Sequence, residues 1–218
     1  MTDFATARRN MVECQIRTNK VTDQRLIDAL AEVPRERFVP KAYRGVAYVD
    51  EDVPLGGGRF LIEPMVLARL IQTARVRPGD SVLDVGCATG YATAILGRLA
   101  AGVVGLERDG AMVAQANQLL TELGIDNAAA IEGTLEAGHA KQAPYDVIFL
   151  GGAVDEVPGT LSAQLAEGGR LVGVVVDAGG VGRATLVTRI GGALARRQVF
   201  DAGTHRLPGF ERVAGFVF

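Results

Sequence analysis

Apolar and polar positions fall into two regimes along the chain. From about residue 78 onward, short apolar runs alternate with stretches of helical period. Ser81-Val82-Leu83-Asp84-Val85 reads as a buried strand and is followed by a helical pattern at about 90–100. Val103-Val104-Gly105-Leu106-Glu107 is a second strand. The next helix, at about 110–123, places Val113, Ala116, Leu120 and Leu123 on one face and stops at Gly124. A weaker strand covers 128–132, and Asp146-Val147-Ile148-Phe149-Leu150 is a strong one. A short helix bearing Leu161 and Leu165 ends at Gly168-Gly169, and 170–176 is again a buried strand. This alternation predicts a doubly wound α/β fold with a mostly parallel sheet. The segments 185–190 and 193–200 flank Gly191-Gly192, a two-residue hairpin signal, and 212–218 is a last strand candidate. An antiparallel C-terminal edge is therefore expected.

Before residue 78 the pattern differs. Residues 6–40 read as helical. Thr22 or Asp23 can cap the second helix, Leu26, Ile27, Leu30 and Val33 share a face, and Pro34 stops it. The stretch 41–59, with Pro54 and Gly56-Gly57-Gly58, reads as a loop. Glu63-Pro64 opens a further helix with Met65, Leu67, Ala68, Leu70 and Ile71 as candidate core positions. The expected organisation is a helical extension with a loop over 1–77, followed by the sheet-bearing core over 78–218.

The chemistry concentrates where the first core strand meets its helix. Asp84-Val85-Gly86-Cys87-Ala88-Thr89-Gly90-Tyr91 ends an apolar strand in an acid and a small-residue turn. Such a turn lets backbone approach a ligand and offers free helical N–H groups. The second strand ends in Glu107, where a ribose diol would be gripped, with Arg108 beside it. A dinucleotide fingerprint requires glycine at the first, third and sixth turn positions. Here Gly86, Ala88 and Tyr91 stand there, and Tyr91 would push helix and strand apart. A nicotinamide oxidoreductase is thus disfavoured. The spacing acid-x-Gly-x-small-x-Gly, carried by Asp84, Gly86, Ala88 and Gly90, resembles the glycine motif of class I S-adenosylmethionine-dependent methyltransferases.

Composition narrows the picture. The chain has 218 residues, of which 48% are hydrophobic, enough for a sizeable core. A formal net charge of −2 creates no field favouring nucleic acid or an anionic membrane. Cys14 and Cys87 are far apart and make no disulfide framework, so a reduced, cytoplasmic setting is expected. No apolar stretch reaches spanning length, and Met1 to Thr6 lacks the apolar core of a leader. With His139 and His205 alone, a zinc site is not expected. Cys87 lies in the cofactor turn with no evident histidine partner, so its backbone matters more than its thiol.

Longer motifs make the resemblance specific. They are Arg9-Asn10-Met11-Val12-x-x-Gln15-Ile16, Val33-Pro34-Arg35-Glu36-x-Phe38-Val39-Pro40, Ala143-Pro144-Tyr145-Asp146 and Gln164-Leu165-x-x-Gly168-Gly169-x-Leu171-Val172. Over nearly its whole length the chain resembles the protein-L-isoaspartate O-methyltransferases. The resemblance implies a seven-stranded Rossmann-like sheet and S-adenosyl-L-methionine as cofactor. It implies methylation of the free carboxylate of isoaspartyl residues in damaged proteins, with no nucleic-acid or membrane partner, by a monomer. Cofactor contacts would come from Asp84, Gly86, Cys87, Ala88, Gly90, Glu107 and Arg108. Gly133 and Thr134 stand where the family often has Gly-Asp-Gly against the adenine. The family loop Gly-x-Gly-x-Thr-Ile-Ser-x-Pro reads Gly56-Gly57-Gly58-Arg59-Phe60-Leu61-Ile62-Glu63-Pro64 here. Phe60 and Ile62 therefore occupy the positions of the hydroxyl residues that face the substrate. Two readings of that exchange stand open: a more apolar acceptor, or cofactor binding without transfer. Arg59 reads either as a replacement cationic contact or as a solvated surface residue.

Overall fold

The computed structural model describes residues 3–211. Two helices open the chain. Helix α1 (Phe4–Met11) is capped by Asp3, whose carboxylate accepts from the Thr6 N–H, and α2 (Gln24–Glu32) by Asp23, which accepts from Arg25 and Leu26 N–H. The segment between them is not the regular helix expected over 6–40. It passes through a π-turn, Val12–Ile16, and a 3-10 turn, Arg17–Asn19, and ends at Lys20 with φ 64°. Thr18 Oγ1 and Asn19 Nδ2 donate to the carbonyls of Cys14 and Gln15, side-chain bonds that compete with the regular ladder.

The stretch expected to be loop over 41–59 is more ordered than that. After a 3-10 turn, Lys41–Val46, strand β1 (Val53–Gly56) pairs antiparallel with β2 (Arg59–Leu61) in a separate two-stranded sheet. Val53, Leu55 and Leu61 point into the core, and the glycine triplet reverses the chain with φ of 96°, 56° and 72°. Helix α3 (Pro64–Ala74) starts, as expected, with proline in its first turn.

The central sheet has seven strands among the described residues, in the order β5-β4-β3-β6-β7-β8-β9. Parallel strands β3 (Ser81–Val85), β4 (Gly102–Glu107), β5 (Ala128–Glu132), β6 (Tyr145–Val154) and β7 (Leu165–Val176) are joined by α4 (Tyr91–Gly97), α5 (Gly110–Glu122), two 3-10 turns (Leu135–Ala137 and Ala140–Gln142) between β5 and β6, and α6 (Gly159–Ala163). Strands β8 (Gly182–Ile190) and β9 (Ala193–Asp201) add the expected antiparallel edge, turning at Gly191 and Gly192, both with positive φ. Leu165 belongs to β7 rather than to the preceding helix. It pairs with Tyr145, and the register then skips to Arg170 opposite Val147, with Gly168 at φ 74° relieving the bulge. The strand expected over 212–218 lies outside the described residues.

One large apolar cluster joins α1–α4 to one face of the sheet, and a second fills the opposite face around Leu83, Ile148, Leu150 and Leu171. The helical extension is stitched to the sheet by Arg35, which is fully buried. It donates to the carbonyls of Ala47 (2.6 Å) and Ile62 (2.8 Å) and lies 5.1 Å from the Tyr91 ring centre. No helix among the described residues is long and apolar enough to cross a membrane.

Candidate active site

The site grows from the ends of β3 and β4, which point the same way because the strands are parallel. Beyond β3 the chain turns through Gly86 (φ 78°), Ala88 (φ 48°) and Gly90 (φ 90°) before α4 begins at Tyr91. Gly86 and Cys87 N–H both donate to the Leu106 carbonyl, at 2.8 and 3.1 Å, which locks the turn against β4. Asp84 is fully buried. Its Oδ2 accepts from Thr93 Oγ1 at 2.6 Å, while Oδ1 has no hydrogen-bond partner among the described residues. Burial pushes its pKa up to about 7, opposed by the Thr93 hydrogen bond and the Arg59 charge. Burial likewise lifts the Cys87 thiol well above its ordinary range, which disfavours the thiolate.

Glu107 stands at the end of β4 with no exposure at all. Its Oε1 accepts from Arg108 N–H at 2.8 Å, and its Oε2 from Ala88 N–H at 2.9 Å. The third partner is Arg59, whose Nε lies 3.1 Å from Oε2. Arg59 Nη2 donates in turn to the Gly86 carbonyl at 2.6 Å. Arg59 is thus neither a solvated surface residue nor a free cation for an acceptor carboxylate. It is 3% exposed and lies across the mouth of the glycine turn. Leu207 covers the same spot: a Cβ built on Gly86 would come 2.5 Å from Leu207 Cδ2 and 2.8 Å from Arg59 Nη2.

Beside this filled region the surface opens into a cleft of about 390 Å³. It is lined by Arg108, Glu132, Gly133, Thr134, Leu135 and Glu136. Gly133 N–H donates to the Glu107 carbonyl at 2.9 Å, so the cleft adjoins the strand-end acid directly.

On the other flank the hairpin separates the two loop residues picked out in the sequence. Ile62 is core-packed at 4% exposure. Phe60 is half-buried and stacks on His205, with ring centres 3.5 Å apart and planes at 7°. His205 Nδ1 lies 2.9 Å from Asp52 Oδ2, which also accepts from Thr204 Oγ1 (2.6 Å) and His205 N–H (3.0 Å). Asp52 Oδ1 accepts from Glu63 N–H at 2.8 Å. Burial first, then the charges of Asp50 and Asp52, push Glu63 up to about 7. The sequence reading missed the placement of Arg59, Leu207 and His205. An arginine set between the glycine triplet and the apolar run Phe60-Leu61-Ile62 was a signal for the first; for the other two no local pattern existed.

Sheet, glycine turn and strand-end carboxylate have the layout of a Rossmann-like methyltransferase, and the family match makes the chain one that uses S-adenosylmethionine. A family model described as protein-L-isoaspartate(D-aspartate) O-methyltransferase matches residues 6–199, and the chain belongs to that family. It is 42% identical over 172 residues to a protein-L-isoaspartate O-methyltransferase of Koribacter versatilis, covering 79% of this chain and 78% of that one. The relative of that name from Methanoregula boonei is 42% identical over 165 residues, with 76% of each chain covered. A solved protein-L-isoaspartate O-methyltransferase superposes with a TM-score of 0.80 at 27% identity. It covers 93% of this chain, which spans 66% of that longer one. A putative enzyme of the family from Plasmodium falciparum, solved with S-adenosyl-L-homocysteine, gives 0.74 at 21% identity, a likeness of fold.

The donor set suits an adenosyl cofactor in kind: a fixed carboxylate, an open cleft next to it and a backbone turn without side-chain bulk. The space does not suit it as the chain stands, because Arg59 and Leu207 fill the volume over Gly86 and Arg59 takes Glu107.

Proposed function

We propose that this chain methylates isoaspartyl carboxylates through a cofactor pocket built on Glu107, Gly86, Ala88 and Gly90, with Gly133 and Thr134 on the adenine side. One observation carries the reading. Glu107 is a fully buried carboxylate held rigidly by two backbone N–H groups beside the glycine turn, in a chain of this family. The bound cofactor supplies an electrophilic sulfonium methyl. The acceptor carboxylate is ionised near neutral pH and needs no general base, so the protein's task is placement and exclusion of water.

The acceptor side differs from the family pattern. Phe60 offers an aromatic face and Ile62 is withdrawn into the core, so neither replaces the hydroxyls of the family loop. The side chains of Arg59 and Leu207 are the walls against Gly86 in the glycine turn. The test is transfer of labelled methyl from S-adenosylmethionine to an isoaspartyl peptide, with its normal-aspartyl twin as control. Base-labile label on the isoaspartyl peptide alone is the expected result. Label on both, or on neither, refutes the assignment of substrate.

A further inference from the structure

Three facts meet at Arg59. Its guanidinium bridges the two acceptors that frame the cofactor turn, the Glu107 carboxylate and the Gly86 carbonyl. It is carried on β2, which among the described residues pairs only with β1 and is no part of the seven-stranded sheet. The hairpin lies over the end of β4: a Cβ on Gly57 would stand 3.7 Å from Asp109 Oδ2 and 3.9 Å from Met112 Cε, at the start of α5. A side chain that enters the sheet's carboxyl edge from a separate hairpin, turning at three left-handed glycines, can leave without breaking the central hydrogen-bond ladder.

We propose that Arg59 is a built-in plug of the cofactor site: it holds Glu107 in place of a ribose diol, and an adenosyl ligand binds by displacing it, the exposed Gly56–Gly58 turn moving with it while Val53, Leu55 and Leu61 stay in the core. This deepens the reading above and rests on Glu107 being the ribose-binding carboxylate. The open cleft at Arg108, Glu132 and Gly133 lets the adenine end dock first, while the volume over Gly86 stays shut. Displacement then exchanges one partner of a buried carboxylate for another, so Glu107 is never left without compensation. Arg59 regains water as it leaves. The closed population lowers the apparent affinity in proportion to the fraction of molecules that are shut. Leu207 adds an apolar contact over the same turn. Its N–H donates to the Ala153 carbonyl at 2.8 Å, so the lid is anchored to β6 on that side and opens on the hairpin side.

The experiment is calorimetric binding of S-adenosyl-L-homocysteine to the full chain and to Arg59→Ala and Arg59→Gln. Both variants are expected to bind about tenfold or more tightly than the wild type. They are expected to melt lower without ligand and to gain more in Tm when it is added. Equal or weaker binding in both variants overturns the plug. If the wild type and both variants all fail to bind, the cofactor reading of Glu107 falls, and the plug falls with it. Hydrogen exchange on the wild type gives a second readout that needs no substitution. The ligand should slow exchange at 133–134 and speed it across 56–59; slower exchange in that turn overturns the proposal.

Discussion

Asp84 shows how one residue's setting becomes a property that can be measured. Its carboxyl, fully buried and half-partnered, is raised to about 7, whereas the unfolded chain titrates it in the ordinary carboxylate range. Between those two values the folded state holds the proton that the unfolded state has lost. The stabilising contribution is therefore complete at acid pH and is lost as pH rises through about 7. Asp84→Asn keeps an acceptor for Thr93 Oγ1 and removes the titration. Its Tm relative to wild type is expected to improve between about pH 5 and about pH 8. A difference that stays constant across that range, followed by differential scanning fluorimetry, would refute this account. At this scale local pattern put Glu107 at a strand end and Gly86, Ala88 and Gly90 in a tight turn, and the backbone runs that way. Local pattern was a poor guide to Arg59, whose partner lies 48 residues away and whose direction depends on the hairpin.

Among the elements, those that repeat a period were legible and those that break one were not. The strands of the parallel sheet and helices α4 and α5 sit where apolar runs and 3.6-residue spacing place them. The β1–β2 hairpin was hidden because each strand is too short to show alternation and its turn is three glycines. The irregular stretch after α1 was hidden too, since Thr18 and Asn19 back-bonding depends on side-chain rotamers. Helix α2 gives the cleanest test of a local rule. Asp23 Oδ1 accepts from Arg25 N–H at 3.0 Å and Leu26 N–H at 3.4 Å, and α2 carries four residues into the core. Asp23→Ala is expected to cost about 1 kcal/mol. That corresponds to a fall in Tm of about 2–4 °C for a chain of this size. Thermal melts should show it with ligand binding unchanged, since the cap is remote from the glycine turn.

The whole molecule is organised around one edge of the sheet, reached from both ends of the chain. The helical extension touches the turn through Thr89, whose Oγ1 donates to the Phe38 carbonyl at 2.6 Å, and through Tyr91 edge-on to Phe38. From the other direction the 204–207 segment runs along β6, and Asp52 ties it to the approach of the hairpin. A site assembled in this way depends on long-range closure, which explains why cofactor class was readable from one motif while the state of the site was not. The Phe60–His205 stack is the visible seam of that closure. The chain contains no tryptophan, so it is optically silent where most proteins emit. Phe60→Trp would give it a single tryptophan, excited apart from the four tyrosines and lying flat on an imidazole, and imidazoles quench indole emission. The closed protein should be dim and should brighten as S-adenosyl-L-homocysteine is titrated in, turning the seam into a light signal whose rise time measures how fast the site opens.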